Sequence, residues 1–268
     1  MKSTVKAVIL DWAGTSVDYG SLAPVKVFIE VFKEKGIAIT IADARKFMGV
    51  DKRNHTRKLL ALDHVKEQWE GLYGMSPQEV DVEEIFSKLE PKLAEVACEL
   101  SEPIPGAIEF VEDMRDLGIK VGTTTGYVKS MMDKIVPEAE RRGFKPDCIV
   151  NSSEVQAGRP FPYMCYLNAI KMDVYPFSHM IKIGDTEADI QEGLNAGMWT
   201  IGLAKSGNEI GLSEKELETL DDSERNLLIE NAKLRLKKVG AHYVADGIWD
   251  CLPLVSIIEE RIDRGERP

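Results

Sequence analysis

A chain of 268 residues, 44% of them hydrophobic, can fill one large domain or a domain carrying an insertion, and is too apolar for general disorder. Its formal charge of −11, from 34 Lys+Arg against 45 Asp+Glu, disfavours nucleic-acid and anionic-membrane partners. A small phosphorylated substrate stays open, because a local cationic cluster can hold it whatever the net charge.

The first element is the run Val5-Lys6-Ala7-Val8-Ile9-Leu10, apolar and β-branched, which predicts a buried strand of a parallel sheet. It stops at Asp11, and a Gly14-Thr15 turn follows. Open parallel sheets bind ligands beyond the carboxyl ends of their strands, so Asp11 stands where a carboxylate serves as nucleophile, metal ligand or both. From about residue 23 to 99 the apolar period is helical. It runs through Val27, Val31, Phe32, Leu59 and Leu60, then Val82, Ile85, Phe86, Leu89 and Leu93, with Gly36 and Pro77 as punctuation. This predicts an all-helical insertion that ends at Pro103-Ile104-Pro105-Gly106. Beyond it, residues 119–122, 148–150, 180–183, 199–202 and 241–244 read as strands, with helices in the gaps, as at 106–117 and 131–142. Such alternation implies a doubly wound α/β sheet. The charged stretch 213–238 reads as a solvated helix pair. The expected organisation is a discontinuous Rossmann-like core of residues 1–18 and 101–268, and a small helical cap of residues 19–100. No apolar run approaches the roughly 18–20 residues that span a bilayer. The first four residues lead directly into a strand, which leaves no room for a signal peptide, and the four cysteines are scattered without Cys-x-x-Cys spacing. A cytoplasmic protein with reduced thiols is expected.

Strand ends carry polar residues that converge if the sheet forms: Asp11, then Thr125-Gly126, then Arg159 beyond the third strand, then Asp185 with Asp189. Singly, each has a plain structural explanation. Gly184-Asp185-Thr186-Glu187-Ala188-Asp189 is also what an acidic turn capping a helix looks like, and an isolated arginine is usually a surface group. Four in order, each after an apolar strand, point to one site. Asp11-Trp12-Ala13-Gly14-Thr15 resembles the first motif of the haloacid dehalogenase (HAD) superfamily, whose phosphotransferases form an aspartyl-phosphate on that first Asp. The other three segments are similar to the remaining motifs of that superfamily. The resemblance implies a Mg²⁺ ion held by Asp11, Asp185 and the backbone carbonyl of Ala13, with Asp189 behind these ligands or reaching the ion through water. It also implies Thr125, the Gly126 backbone and Arg159 as binders of the phosphoryl oxygens.

The superfamily normally reads Asp-x-Asp-Gly-Thr, and the second Asp protonates an alkoxide leaving group. Here that position is Ala13. In the helical stretch, Lys52 and His55 stand three apart, which on a helix is one face; read blandly, they decorate a charged surface helix. The segment Met48-Gly49-Val50-Asp51-Lys52-Arg53-Asn54-His55 resembles the phosphonatase family, which hydrolyses phosphonoacetaldehyde. So do Thr124-Thr125-Gly126-Tyr127 and Ala157-Gly158-Arg159-Pro160, over essentially the full length of the chain. Some relatives are expected to carry cysteine where Ser21 stands. That resemblance implies that Lys52 forms a Schiff base with the aldehyde, so that the C–P bond breaks to an enamine and no acid is needed at position 13. It also implies His55 as the group moving protons, Met48 and Tyr127 as walls of the aldehyde pocket, a lysine pKa lowered by burial or by neighbours such as Arg53, and a homodimer. Two alternatives stand beside this. A capped phosphatase or phosphomutase acting on a small phosphate ester explains the core but leaves Ala13 and Lys52 unexplained. An inactive binding module accommodates Ala13 but gives no reason to keep Asp11, Arg159, Asp185 and Asp189.

Overall fold

A computed structural model describes residues 3–268. Six strands form one parallel sheet in the order β3-β2-β1-β4-β5-β6: β1 Ala7–Leu10, β2 Lys120–Thr125, β3 Cys148–Asn151, β4 Met180–Gly184, β5 Trp199–Leu203 and β6 Tyr243–Ala245. This is the Rossmann order, in which the chain reverses direction across the sheet between β1 and β4, and a crevice opens there at the carboxyl ends. β1 is wholly buried because both faces are covered by helices, which is why it reads as an unbroken apolar run. The expected α/β architecture is therefore present. β2 extends past the expected segment to Thr125, since β-branched Thr123-Thr124-Thr125 suits a strand.

The named elements between β1 and β2 are all helices: α1 Leu22–Glu34, α2 Ile41–Arg45, α3 Lys52–Leu60, α4 Asp63–Tyr73, α5 Glu79–Glu99 and, back against the sheet, α6 Ala107–Asp116. Later helices are α7 Lys129–Arg141, α8 Tyr163–Met172, α9 Glu187–Asn195, α10 Glu214–Thr219, α11 Asp222–Val239 and α12 Cys251–Asp263. The charged stretch 213–238 thus forms the helix pair α10 and α11. Val27, Phe28, Val31 and Phe32 put a buried face on α1, and Val82, Ile85, Phe86, Leu89 and Leu93 do the same on α5. Each such side chain contributes about 1.5–3 kcal/mol on burial, and these faces join one continuous core with β1, β2 and α7. The two chain crossings lie side by side: Ile104 N–H donates to the Ser16 carbonyl (2.9 Å) and Asp18 N–H to the Glu102 carbonyl (3.2 Å). Among the described residues no helix is long and apolar enough to cross a membrane.

Candidate active site

Asp11 follows β1 and Asp185 follows β4, and pairing of Leu10 with Ile183 sets the two strand ends abreast. The Asp11 N–H continues the ladder to the Ile183 carbonyl at 2.9 Å, which fixes where its side chain starts. Gly14 closes the turn at φ +84°, and a Cβ there would lie 2.3 Å from Asp185 Oδ2, so this position takes only glycine. Thr15 Oγ1 donates to Asp185 Oδ1 (2.9 Å) and the Asn208 N–H to Asp185 Oδ2 (2.8 Å). Asp11, Asp185 and Asp189 each bring an oxygen within 4.8 Å of the others, and all three are buried. Burial, then the charges of Asp11 and Asp189, push the Asp185 carboxyl well above the usual carboxylate range. Burial also raises Asp11, against the pull of Arg159. A hard divalent cation meets this donor set well: oxygens only, crowded negative charge, and no Lys or Arg on Asp185. The donor set therefore fits a divalent metal ion.

Asp189 is engaged differently. It sits in the first turn of α9, where its Oδ2 accepts from Thr186 Oγ1 (2.5 Å), and its Oδ1 faces Arg159 (3.1 Å) and Lys182 (2.9 Å). Burial opposes its ionisation, but Arg159 and Lys182 prevail and hold its pKa below the ordinary value. Arg159 is nearly inaccessible and lies at the centre of the cluster. Its Nη2 donates to Asp11 Oδ1 (2.6 Å), and its Nε to Glu192 Oε2 (2.9 Å). It also donates to the Thr124 hydroxyl (2.7 Å) and, across the crevice, to the Gly49 carbonyl (3.2 Å). Lys182 and Glu192, both fully buried, are absent from the sequence reading. The signal was there for Lys182, a lone cation inside the apolar strand Met180-Ile181-Lys182-Ile183. Glu192 lies three residues after Asp189, on the same face of α9.

Lys52 arrives from the opposite side. Asp51 caps α3 by accepting from the Asn54 N–H (2.9 Å), which makes Lys52 the first helical residue. Its Nζ stands 5.2 Å from the centroid of the Tyr127 ring. Burial lowers its pKa to about 8, the charge of Asp11 opposes this, and Arg159 adds to it. The helix N-terminus, with its partial positive charge, acts in the same sense. Arg53 is not the cation responsible: it pairs with Glu83 (2.6 Å) and lies over Phe86 (4.4 Å), on another face of α3. A cavity of about 20 Å³ is bounded by Asp11, Ala13, Ser21, Met48, Lys52 and Thr125, together with Gly126, Tyr127 and Arg159. Asp11, Lys52 and the candidate phosphate-binding residues Thr125, Gly126 and Arg159 thus share one enclosure. Val50 crosses so close that a Cβ on Gly126 would lie 2.5 Å from its carbonyl oxygen. His55 is not on that wall. Its ring lies 4.1 Å from the Phe28 centroid and is wholly buried, and among the described residues neither nitrogen meets hydrogen-bond geometry with a partner. Burial, and then Lys52, drive its pKa well below the ordinary value, so the ring is neutral.

The family model for haloacid dehalogenase-like hydrolases matches residues 5–197. A phosphonoacetaldehyde hydrolase-like protein of Syntrophobacter fumaroxidans is 47% identical, covering 100% of this chain and 96% of its own. A phosphonoacetaldehyde hydrolase of Nitratidesulfovibrio vulgaris is 45% identical over 98% of this chain and 94% of its own. Among solved structures, a phosphonoacetaldehyde hydrolase-like protein from Oleispira antarctica superposes with a TM-score of 0.97 at 38% identity, covering 100% of this chain and 98% of that one. The chain belongs to the haloacid dehalogenase-like hydrolases and, within them, to the phosphonoacetaldehyde hydrolase family.

Proposed function

We propose that the protein hydrolyses phosphonoacetaldehyde to acetaldehyde and phosphate. The observation that carries this reading is the enclosure itself: a buried lysine with a pKa of about 8 shares a small cavity with Asp11, and the position of the usual general acid is Ala13. An ester phosphatase has no use for the first and lacks the second.

Neutral Lys52 adds to the aldehyde carbon; loss of water leaves a protonated imine beside the carbon that bears phosphorus. An Asp11 oxygen attacks phosphorus. The C–P electron pair moves into a new C=C bond as the iminium accepts electrons, so the leaving group is an enamine rather than a carbanion. Protonation of the enamine carbon regenerates an iminium, which water hydrolyses to acetaldehyde and free Lys52. A second water cleaves the aspartyl-phosphate. Arg159 and the Thr125-Gly126 turn hold the phosphoryl oxygens, and Arg159 offsets the charge that gathers there. A divalent ion, Mg²⁺ in this reading, would be held by Asp11, Asp185 and the Ala13 carbonyl and would offset repulsion between Asp11 and the phosphonate. Asp189, ion-paired to Arg159 and Lys182, acts on that set from behind. His55 is the candidate for moving protons around imine formation; support for this is its place one turn along from Lys52, although its ring lies off the cavity wall. Met48 and Tyr127 pack around the two-carbon unit.

Residues 19–100 act in this proposal as a cap that delivers Lys52 to a core of residues 1–18 and 101–268. Their closure excludes water from the imine. The resemblance to the family supports a homodimer, the free cysteines and acidic charge support a cytoplasmic protein, and neither nucleic acid nor membrane is a partner. The test is a paired assay of acetaldehyde and phosphate release from phosphonoacetaldehyde. Equal yields, lost in Lys52→Arg, are expected. Hydrolysis of simple phosphate esters that survives in Lys52→Ala would overturn the proposal.

A further inference from the structure

Arg45 ends α2, and its guanidinium reaches the loop that follows β5. Nη1 donates to the Gly20 carbonyl (3.0 Å) and to Asn208 Oδ1 (3.1 Å), and Nη2 to the Gly211 carbonyl (2.7 Å). All three acceptors are neutral oxygens, arranged for a planar fork; a lysine would satisfy one of them. The socket is shaped by glycine. At Gly211 (φ +70°) a Cβ would lie 2.2 Å from Arg45 Cζ, and at Gly20 (φ +85°) a Cβ would lie 2.4 Å from the Leu212 carbonyl oxygen. So close a fit is a built contact rather than an incidental one.

The loop it grips is the one that orients Asp185. Of the two hydrogen bonds to that carboxylate, one comes from the Asn208 N–H (2.8 Å). The neighbouring Gly207 packs so tightly that a Cβ there would lie 2.2 Å from Asp185 Cβ. The cavity beside Asp11, about 20 Å³, holds about one water and cannot admit a two-carbon phosphonate unless the helical segment swings away from the sheet. Arg45 travels with α2, whereas Asn208 and Gly211 belong to the loop after β5. Such an opening would break these contacts and closure would re-form them, in the same movement that would bring Lys52 over Asp11.

We propose that Arg45 is a positioning residue that couples closure of the helical segment to the orientation of Asp185, acting through Asn208. The proposal rests on the reading of Asp185 as a divalent-ion ligand. Calorimetric titration with MgCl₂ alone tests it, on the full chain, in Arg45→Met, Asn208→Ala and the double variant. Partners hydrogen-bonded to metal ligands typically carry 10- to 100-fold in metal affinity. Arg45 acts one step further out, so Arg45→Met is expected to weaken Mg²⁺ binding at the low end of that range, about 10-fold. The double variant should lose no more than Arg45→Met, because both act along one path. Amide hydrogen exchange of the metal-free protein should quicken at residues 206–212 in Arg45→Met, a readout independent of the ion, and Arg45→Lys should not restore it. Unchanged Mg²⁺ affinity in both single variants, or fully additive losses, overturns the proposal. If Arg45→Met fails to fold, Asn208→Ala decides alone: wild-type affinity there refutes the coupling. No phosphonate enters the titration, so its outcome is independent of which substrate the enzyme takes.

Discussion

Replacing Lys52 by methionine should stabilise the protein while abolishing its activity. The wild-type ammonium is buried, and its pKa falls from 10.5 to about 8. At 1.36 kcal/mol for each pH unit of difference, holding that charge in the folded state costs about 3 kcal/mol at pH 7. Methionine keeps a stem of similar length and volume without the charge, so packing changes little. The sign follows from proton counts. Below pH 8 the lysine is protonated in both states and the cost is fully present; between 8 and 10.5 the unfolded chain binds the extra proton, so wild-type stability rises with pH; above 10.5 both states are neutral and the cost is gone. Urea unfolding at pH 7 should place Lys52→Met about 3 kcal/mol above wild type, with an unchanged m-value, and the gap should narrow to about 1.5 kcal/mol at pH 9.5. A variant no more stable than wild type at pH 7, or a gap that ignores pH, would refute the claim that Lys52 is held under strain for chemistry.

The same lysine predicts a pH profile. Only the neutral amine adds to an aldehyde, so kcat/KM should rise tenfold per unit below pH about 8 and level off above it, measured by phosphate release; a flat profile from pH 6 to 9 would contradict this. His55, whose pKa lies well below the ordinary value, should add no inflection near neutrality, and His55→Ala should slow the reaction without moving the inflection that belongs to Lys52. Lys182→Met should cost about 3–5 kcal/mol, because Asp189 and Glu192 are left with Arg159 alone in a fully buried cluster. The double variant Lys182→Met/Glu192→Gln should recover part of that loss in the same urea titration; additive losses would show that the pair does not interact. Chelation by EDTA should stop phosphate release while leaving reducible imine on Lys52, because addition to the aldehyde asks nothing of the ion. Loss of both together would place the ion in imine formation as well.

Most of the fold was legible because its signals are local. β1 is apolar throughout as a doubly covered strand must be, and the segment between Asp18 and Pro103 keeps a helical period with no strand-like interruption. The site was legible where chemistry concentrates at strand ends, as at Asp11 and Asp185. What escaped is long-range or depends on which way a side chain points. Arg53 follows Lys52 in sequence, but neighbours on a helix diverge by about 100°, so the cation that acts on Lys52 is Arg159 from the other side of the crevice. Thr125 was singled out, whereas strand alternation turns Thr124 toward the ions, where its hydroxyl meets Arg159, Lys182 and Glu192. Arg45 meets Asn208 and Gly211 across more than 160 residues of chain, and no periodicity records such a contact.

In the proposed reaction Lys52 becomes covalently joined to the substrate before the C–P bond breaks. The most direct measurement is borohydride reduction of the protein incubated with phosphonoacetaldehyde and Mg²⁺, followed by peptide mapping by mass spectrometry. A reduced two-carbon adduct is expected on Lys52, absent from Lys52→Arg, with phosphate released during the incubation. Phosphate release with no adduct at Lys52 would contradict it.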